Sequence, residues 1–402
     1  MQLTRQAAPG VFWIGGNDRR IALFENMFPL RDGVVYNSYV IMDEKVALID
    51  TVDSAITRQF FENLEHVLGG RAVDYLVVNH MEPDHCANIE ELCRRYPEMK
   101  IVGNPKTFQM IRQFYDFDIE DRTLTVCEAD RLDLGAHRLR FFMAPMVHWP
   151  EVMFTYEEKE KILFSADAFG TFGALNGNLF ADETDFDNLF LDEARRYYAN
   201  IVGKYGPQVQ AALAKTCCVE TEKIFPLHGP LWRKDLDYII DKYGLWSRYE
   251  PEKKGVVVAY ASMYGNTENA ALMVANRLAE MGVSDMRVHD VSRSHASYII
   301  SDAFKYSHIV LASPTYNMGL YFGMESLLRD MAALNLKNRK VALIGNGSWA
   351  PAAHTIMEKM IGEMKGMELL SPPLVLRSAL KPRQTDELMA LADKVGRSVL
   401  ED

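Results

Sequence analysis

Excess positive charge is the first thing this sequence lacks. Forty-four lysines and arginines face 55 aspartates and glutamates, a formal net charge of −11. That balance argues against nucleic acid, which demands basic surface, and against anionic membranes. No run of about 18 apolar residues occurs, so no transmembrane helix is expected. The opening residues MQLTRQAAPGVFWIGG hold no apolar core long enough for a secretory signal. Cysteines are few and odd in number: Cys86, Cys93, Cys127, Cys217 and Cys218. They form no C-x-x-C pair, which excludes a zinc ribbon or a thiolate iron site within the chain. Such usage predicts reduced thiols and a cytoplasmic protein. The adjacent Cys217 and Cys218 read as small apolar residues at a helix end. Also missing are G-x-G-x-x-G and a Walker loop ending in Gly-Lys-Ser/Thr, so neither dinucleotide fingerprint nor P-loop is expected.

What is present is a chain of 402 residues, 48% hydrophobic and 25% charged. Those values fit a soluble globular protein of two domains. The most informative stretch is His80-Met81-Glu82-Pro83-Asp84-His85. It packs two imidazoles and two carboxylates, all ligands for a borderline divalent metal, into six residues. It follows the valine-rich run 74–79, which reads as a buried strand, so the ligands sit at a strand's carboxyl end. Pro83 is expected to rule out a regular helix there. In an extended segment His80, Glu82 and Asp84 point to one side, and His85 turns back toward them. A polar surface loop with two incidental histidines is the plainer reading, and the clustering of four ligand types weighs against it.

Around that stretch, strands are expected at 11–14, 37–42, 46–50, 100–103, 123–127, 138–144, 153–156 and 161–165. Helices are expected at 54–68, 89–96 and 106–115. Strands and helices mixed without strict alternation fit a sheet sandwich flanked by helices. Three further ligand types follow apolar strands: His148, Asp167 and His228. Together with the first cluster they make seven ligands from four strand ends. The histidines at 66, 137, 289, 295, 308 and 354 do not fit this pattern and read as structural or surface residues. Seven such ligands resemble the metallo-β-lactamase fold, whose usual signature is His-x-His-x-Asp-His followed by a later His, Asp and His. Here Glu82 replaces the second histidine. The harder, more anionic set favours iron over zinc, and seven ligands with a bridging carboxylate suit two metals.

A charged, proline-containing stretch between Leu245 and Gly255 reads as a linker, giving domains 1–249 and 255–402. From Val256 strands and helices alternate, five of each, as in a doubly wound α/β sheet. Its first strand–helix loop, Ser262, Met263, Tyr264, Gly265, Asn266 and Thr267, suits a phosphate at a helix N-terminus. Two later loops also follow strands. One holds Pro314, Thr315, Tyr316, Asn317 and Gly319, the other Asn346, Gly347, Ser348, Trp349 and Ala350. Tyr316 and Trp349 offer faces for a flat ring, and the glycines permit close approach. All of this looks like flavodoxin, which implies flavin mononucleotide (FMN).

Joined, the two halves resemble the flavodiiron protein family over essentially the whole chain. The resemblance implies an αββα sandwich carrying two irons and a flavodoxin-like domain carrying FMN. His80, Glu82 and His148 would hold one iron, Asp84, His85 and His228 the other, and Asp167 would bridge. Tyr198 resembles a tyrosine that the family places near the irons. Family members reduce dioxygen to water or nitric oxide to nitrous oxide, with rubredoxin as a frequent electron donor. This chain ends after the flavodoxin-like part, so its donor is expected to be a separate molecule. The family's head-to-tail homodimer, or a dimer of such dimers, is expected as well. The rival from another class is a dizinc hydrolase with an appended flavin domain, which Glu82 argues against. A mere flavin-storage module leaves the seven ligands unexplained.

Overall fold

Helix Thr57–Leu68 shows how local sequence becomes structure here. Phe60, Leu64 and Leu68 recur at helical spacing and all are buried, as is Ile56 just ahead of them. Gly69 ends the helix in the left-handed conformation, φ 56°, which glycine adopts without strain. The computed structural model describes residues 2–401. The chain divides into two units: residues up to Tyr198 with Pro207–Tyr243, and Ala199–Gly206 with Gly244 onward.

The first unit contains two main sheets. Seven strands run in the order Arg5–Ala8, Val11–Trp13, Tyr39–Ile41, Ala47–Ile49, Tyr75–Val77, Lys100–Gly103 and Thr123–Thr125. The first four pair antiparallel and the rest parallel. Five strands form the other sheet: Arg131–Asp133, Arg138–Met143, Met153–Glu157, Ile162–Phe164 and Lys223–Phe225. Tyr39 of the first sheet lies 5.1 Å from Phe164 and 5.4 Å from Phe225 of the second, ring to ring. The sheets therefore share one apolar core, the centre of an αββα sandwich. Burying each large apolar side chain there contributes about 1.5–3 kcal/mol.

Two expectations fail in this unit. Pro83 does not prevent a helix; it begins one, Pro83–Cys86, at the first helical position. There its missing N–H has no bond to lose and its fixed φ suits the turn. Consequently Asp84 and His85 project from a helical turn, while Glu82 stays extended as its N-cap, and the extended alternation breaks after Glu82. Strands Arg5–Ala8 and Arg131–Asp133 were not expected, because each is short and carries charge.

The second unit holds a parallel sheet ordered Met286–Asp290, Lys253–Tyr260, Tyr306–Tyr316, Arg339–Asn346, then Met367–Leu369. This is the doubly wound order in which strand direction of progress reverses beside the first strand. The expected fifth strand is split: Leu374–Leu376 also pairs with Arg339–Asn346. Residues 245–255 are less irregular than a linker would be. Helix Leu236–Arg248 runs into them and strand Lys253–Tyr260 begins within them.

Candidate functional site

Four strand ends deliver the ligands. His80 follows Tyr75–Val77, His148 lies between Arg138–Met143 and Met153–Glu157, Asp167 follows Ile162–Phe164, and His228 follows Lys223–Phe225. The Val147–His148 peptide bond is cis. All seven side chains are buried and gather into two groups: His80, Glu82, His148 and Asp167 in one, Asp84, His85 and His228 in the other. Asp167 joins them. Its Oδ2 is 3.1 Å from both His80 Nε2 and His148 Nε2. Its Oδ1 is 3.2 Å from His85 Nε2 and 3.6 Å from His228 Nε2. Glu82 Oε2 closes the first group at 3.2 Å from His80 and 3.0 Å from His148. Asp84 Oδ2 closes the second at 3.4 Å from His85 and 3.2 Å from His228.

These spacings fit metal ions. Ligands about 2.0–2.2 Å from a common ion lie roughly 3.0–3.5 Å from one another. Both oxygens of Asp84 and Oδ1 of Asp167 are buried with no hydrogen-bond partner among the described residues. Such atoms cost about 1–3 kcal/mol each unless something satisfies them, and a cation would. Tautomers agree too. His228 Nδ1 donates to the Val35 carbonyl at 2.9 Å, and His80 Nδ1 donates to Glu151 Oε1 at 2.8 Å. Their Nε2 lone pairs therefore point into the cluster.

Electrostatics say the same. Burial alone would lower the His80 imidazole, yet the Asp167 carboxylate holds it well above its ordinary range. Against the same pull of burial, hydrogen bonds to Asp167 and Glu82 push His148 up to about 9. Although burial opposes it, Asp167 is held well below the usual carboxylate range by the His85 and His80 charges, and Glu82 by bonds to His148 and His80. Pockets that grip protons this tightly also grip cations, since both compete for the same lone pairs.

In the second unit a cavity of about 450 Å³ opens over the carboxyl ends of the strands. All the expected loop residues line it except Gly265 and Gly319; Met318 and Ser378 line it in addition. Gly265 instead N-caps helix Asn266–Glu280 with φ 87°, its N–H donating to Ser262 Oγ at 3.0 Å. Gly319 pairs with Tyr316 in a turned-back hairpin. Asn346 ties the loops together, donating to Thr267 Oγ1 at 3.2 Å and accepting from Ser378 N–H at 3.0 Å. Trp349 stands 87% exposed and Tyr316 48%, faces free to flank a planar ring.

Family models match both parts: "ODP family beta lactamase" over residues 34–229 and "Flavodoxin" over 258–390. A nitric oxide reductase of Moorella thermoacetica is 31% identical, with 90% of each chain covered. An anaerobic nitric oxide reductase flavorubredoxin of Aeromonas hydrophila is 31% identical over 85% of this chain and 70% of its own. Among solved structures, rubredoxin oxygen:oxidoreductase from Desulfovibrio gigas superposes with TM-score 0.93 at 25% identity, covering 99% of both chains. The flavodiiron protein from Giardia intestinalis superposes at 0.94, also 25% identical, covering 100% of this chain and 98% of its own.

The chain belongs to the flavodiiron protein family.

In this flavodiiron protein the two adjacent tyrosines 197 and 198 are placed differently. Tyr198 packs its ring 5.0 Å from Tyr243. The neighbouring Tyr197 stands beside the cluster, 5.5 Å from the His228 ring and against Phe24 and Phe172. Residues that the sequence did not single out are Glu25, Glu151 and Ser378. Glu25 hydrogen-bonds Glu82, and desolvation together with the charge of Glu82 pushes it up to about 8. No local signal marks Glu25. Glu151 lies three residues beyond His148, near enough to have been noticed.

Proposed function

We propose that this flavodiiron protein reduces dioxygen to water, nitric oxide to nitrous oxide, or both, at two irons supplied with electrons through FMN from an external donor such as rubredoxin. The observation that carries this reading is Asp167, whose two oxygens face two separate pairs of imidazoles. Bound iron would supply a place for a diatomic gas and the electrons to reduce it, and FMN would take electrons in pairs and release them singly.

The chain's own residues have distinct tasks. His80, Glu82 and His148 would hold one iron and Asp84, His85 and His228 the other, with Asp167 shared between them. Four strand ends keep these side chains rigid, so little reorganisation accompanies each electron. Burial excludes bulk water around the donors, which strengthens every charge interaction inside. Tyr197 presents its ring to the His228 side. In the second unit, the N-terminus of helix Asn266–Glu280 faces the cavity and would take the flavin phosphate, while Tyr316 and Trp349 would flank the ring system. The protein works in the cytoplasm, where its five thiols stay reduced, and as a head-to-tail homodimer. No helix is long and apolar enough to cross a membrane among the described residues.

The test combines composition with turnover. Purified protein should contain about two irons and one FMN per chain, and after reduction it should consume each gas, supplied separately, at rates that rank the two substrates. Two zincs, with hydrolysis of esters or amides and no gas consumption, would establish the hydrolase instead.

A further inference from the structure

The two half-sites carry matching donors. Each has two imidazoles, one carboxylate and one oxygen of Asp167. What differs lies behind the imidazoles. His80 Nδ1 donates to the Glu151 carboxylate at 2.8 Å, whereas His228 Nδ1 donates to the neutral carbonyl of Val35 at 2.9 Å. His85 Nδ1 is buried with no hydrogen-bond partner among the described residues. Of these three rings only His80 hydrogen-bonds a carboxylate; the buried Asp50 carboxylate also acts on His85, but without a hydrogen bond to its Nδ1.

Glu151 is built firmly into that place. It is 1% exposed. Its Oε1 also accepts the Met81 N–H at 2.8 Å, on the residue next to His80. Its backbone carbonyl accepts from Asn104, the N-cap of helix Pro105–Phe114. The indole of Trp149 stands edge-on to the His80 ring at 5.3 Å. The other oxygen, Oε2, is buried with no hydrogen-bond partner among the described residues. A buried carboxylate with one bare oxygen is costly. It is tolerable where positive charge stands close by, and here the route to that charge runs through the imidazole of His80.

We propose that Glu151 is a positioning residue that polarises His80 and makes the two irons unequal. The iron held by His80, Glu82 and His148 is the more electron-rich, so the iron held by Asp84, His85 and His228 is reduced first. This rests on the diiron reading above. A carboxylate pulling on Nδ1–H raises the electron density at Nε2, which favours the ferric over the ferrous ion more than a carbonyl partner does. With matching donors neither iron would hold the first electron in preference to the other, and only the repulsion between the irons would separate the two reductions.

Anaerobic reductive titration of the iron-loaded, flavin-containing protein tests it, with the half-reduced pair followed by EPR and Mössbauer spectroscopy. The native protein should pass through a well-populated mixed-valent state. Glu151→Gln keeps the size of the side chain and removes its charge. It should shrink that signal and speed iron loss to a chelator by about 10- to 100-fold, with flavin content unchanged. Glu151→Asp keeps the charge and should fall between the two. An unchanged mixed-valent signal and unchanged iron release in Glu151→Gln would overturn the proposal. So would a native pair reduced in one step, or equal damage in both variants, which marks packing alone. These outcomes leave the diiron reading standing; native protein that binds no iron is the result that removes it.

Discussion

Asp167 stands where the two half-sites meet, and removing its carboxylate leaves two incomplete three-residue sets. Asp167→Ala should therefore lose iron from both positions while FMN stays bound, because the flavin cavity is lined only by residues from 262 onward. Iron analysis beside the flavin absorbance reads both; retention of both irons contradicts the bridging role. At this scale the sequence was most legible where chemistry is local. Each of the seven side chains that the fold gathers follows an apolar strand, and it was their recurrence, not any single position, that marked them. It was least legible where packing decides. Nothing in Tyr197-Tyr198 says which ring turns toward His228, since that depends on where the helix lies. Nor does sequence show that Glu151 reaches back over 71 positions to His80. That contact exists only because strands distant in the chain come together in the fold.

Elements set these residues in place, and their periodicity was readable except where they are very short. The helix beginning at Pro83 spans only four residues, too few to show a pattern, and proline there looked like a breaker when it is a starter. Strand Arg5–Ala8 was hidden for the same reason, and it is fastened from outside. Arg5 Nη1 donates to Glu183 Oε2 at 2.9 Å, while the N–H groups of Leu179 and Phe180 donate to the same carboxylate. The Arg5 bond is the main cause that lowers Glu183 from 4.5 to about 2. A depressed carboxylate stabilises the fold above its unfolded value and loses that contribution as pH falls through the folded value. Arg5 is 41% exposed and Glu183 21%, so solvent screening reduces the effect to about 1 kcal/mol. Glu183→Gln should lower the thermal midpoint at pH 7, and the gap from the native protein should close as pH falls from about 4.5 toward 2. A gap that persists unchanged at the acid end would mean the carboxylate charge is not what fastens the strand.

At the scale of the whole molecule, the ligand cluster belongs to the first unit and the flavin cavity to the second. Electrons must therefore pass between units, and tunnelling slows steeply as the gap widens. In the proposed head-to-tail homodimer, one chain's flavin would be set against its partner's irons. The surface of the second unit is suited to such a role. Around the cavity mouth Tyr264 is 91% exposed, Trp349 87% and Met318 63%, with Phe322 nearby in the chain at 69%. Scattered single apolar side chains need no explanation, but several from adjoining loops mark an interaction surface. Trp349 would be taken up by the flavin, but burying Phe322 against a second chain would recover apolar stabilisation that water denies it. Phe322 lies outside the cavity lining, so it can be altered without touching the flavin contacts. Sedimentation should find a dimer, and Phe322→Asp should shift the protein toward monomer. Gas consumption should fall with it, although iron and flavin remain bound. A monomer that turns over at the full rate would show that electrons reach the irons within one chain.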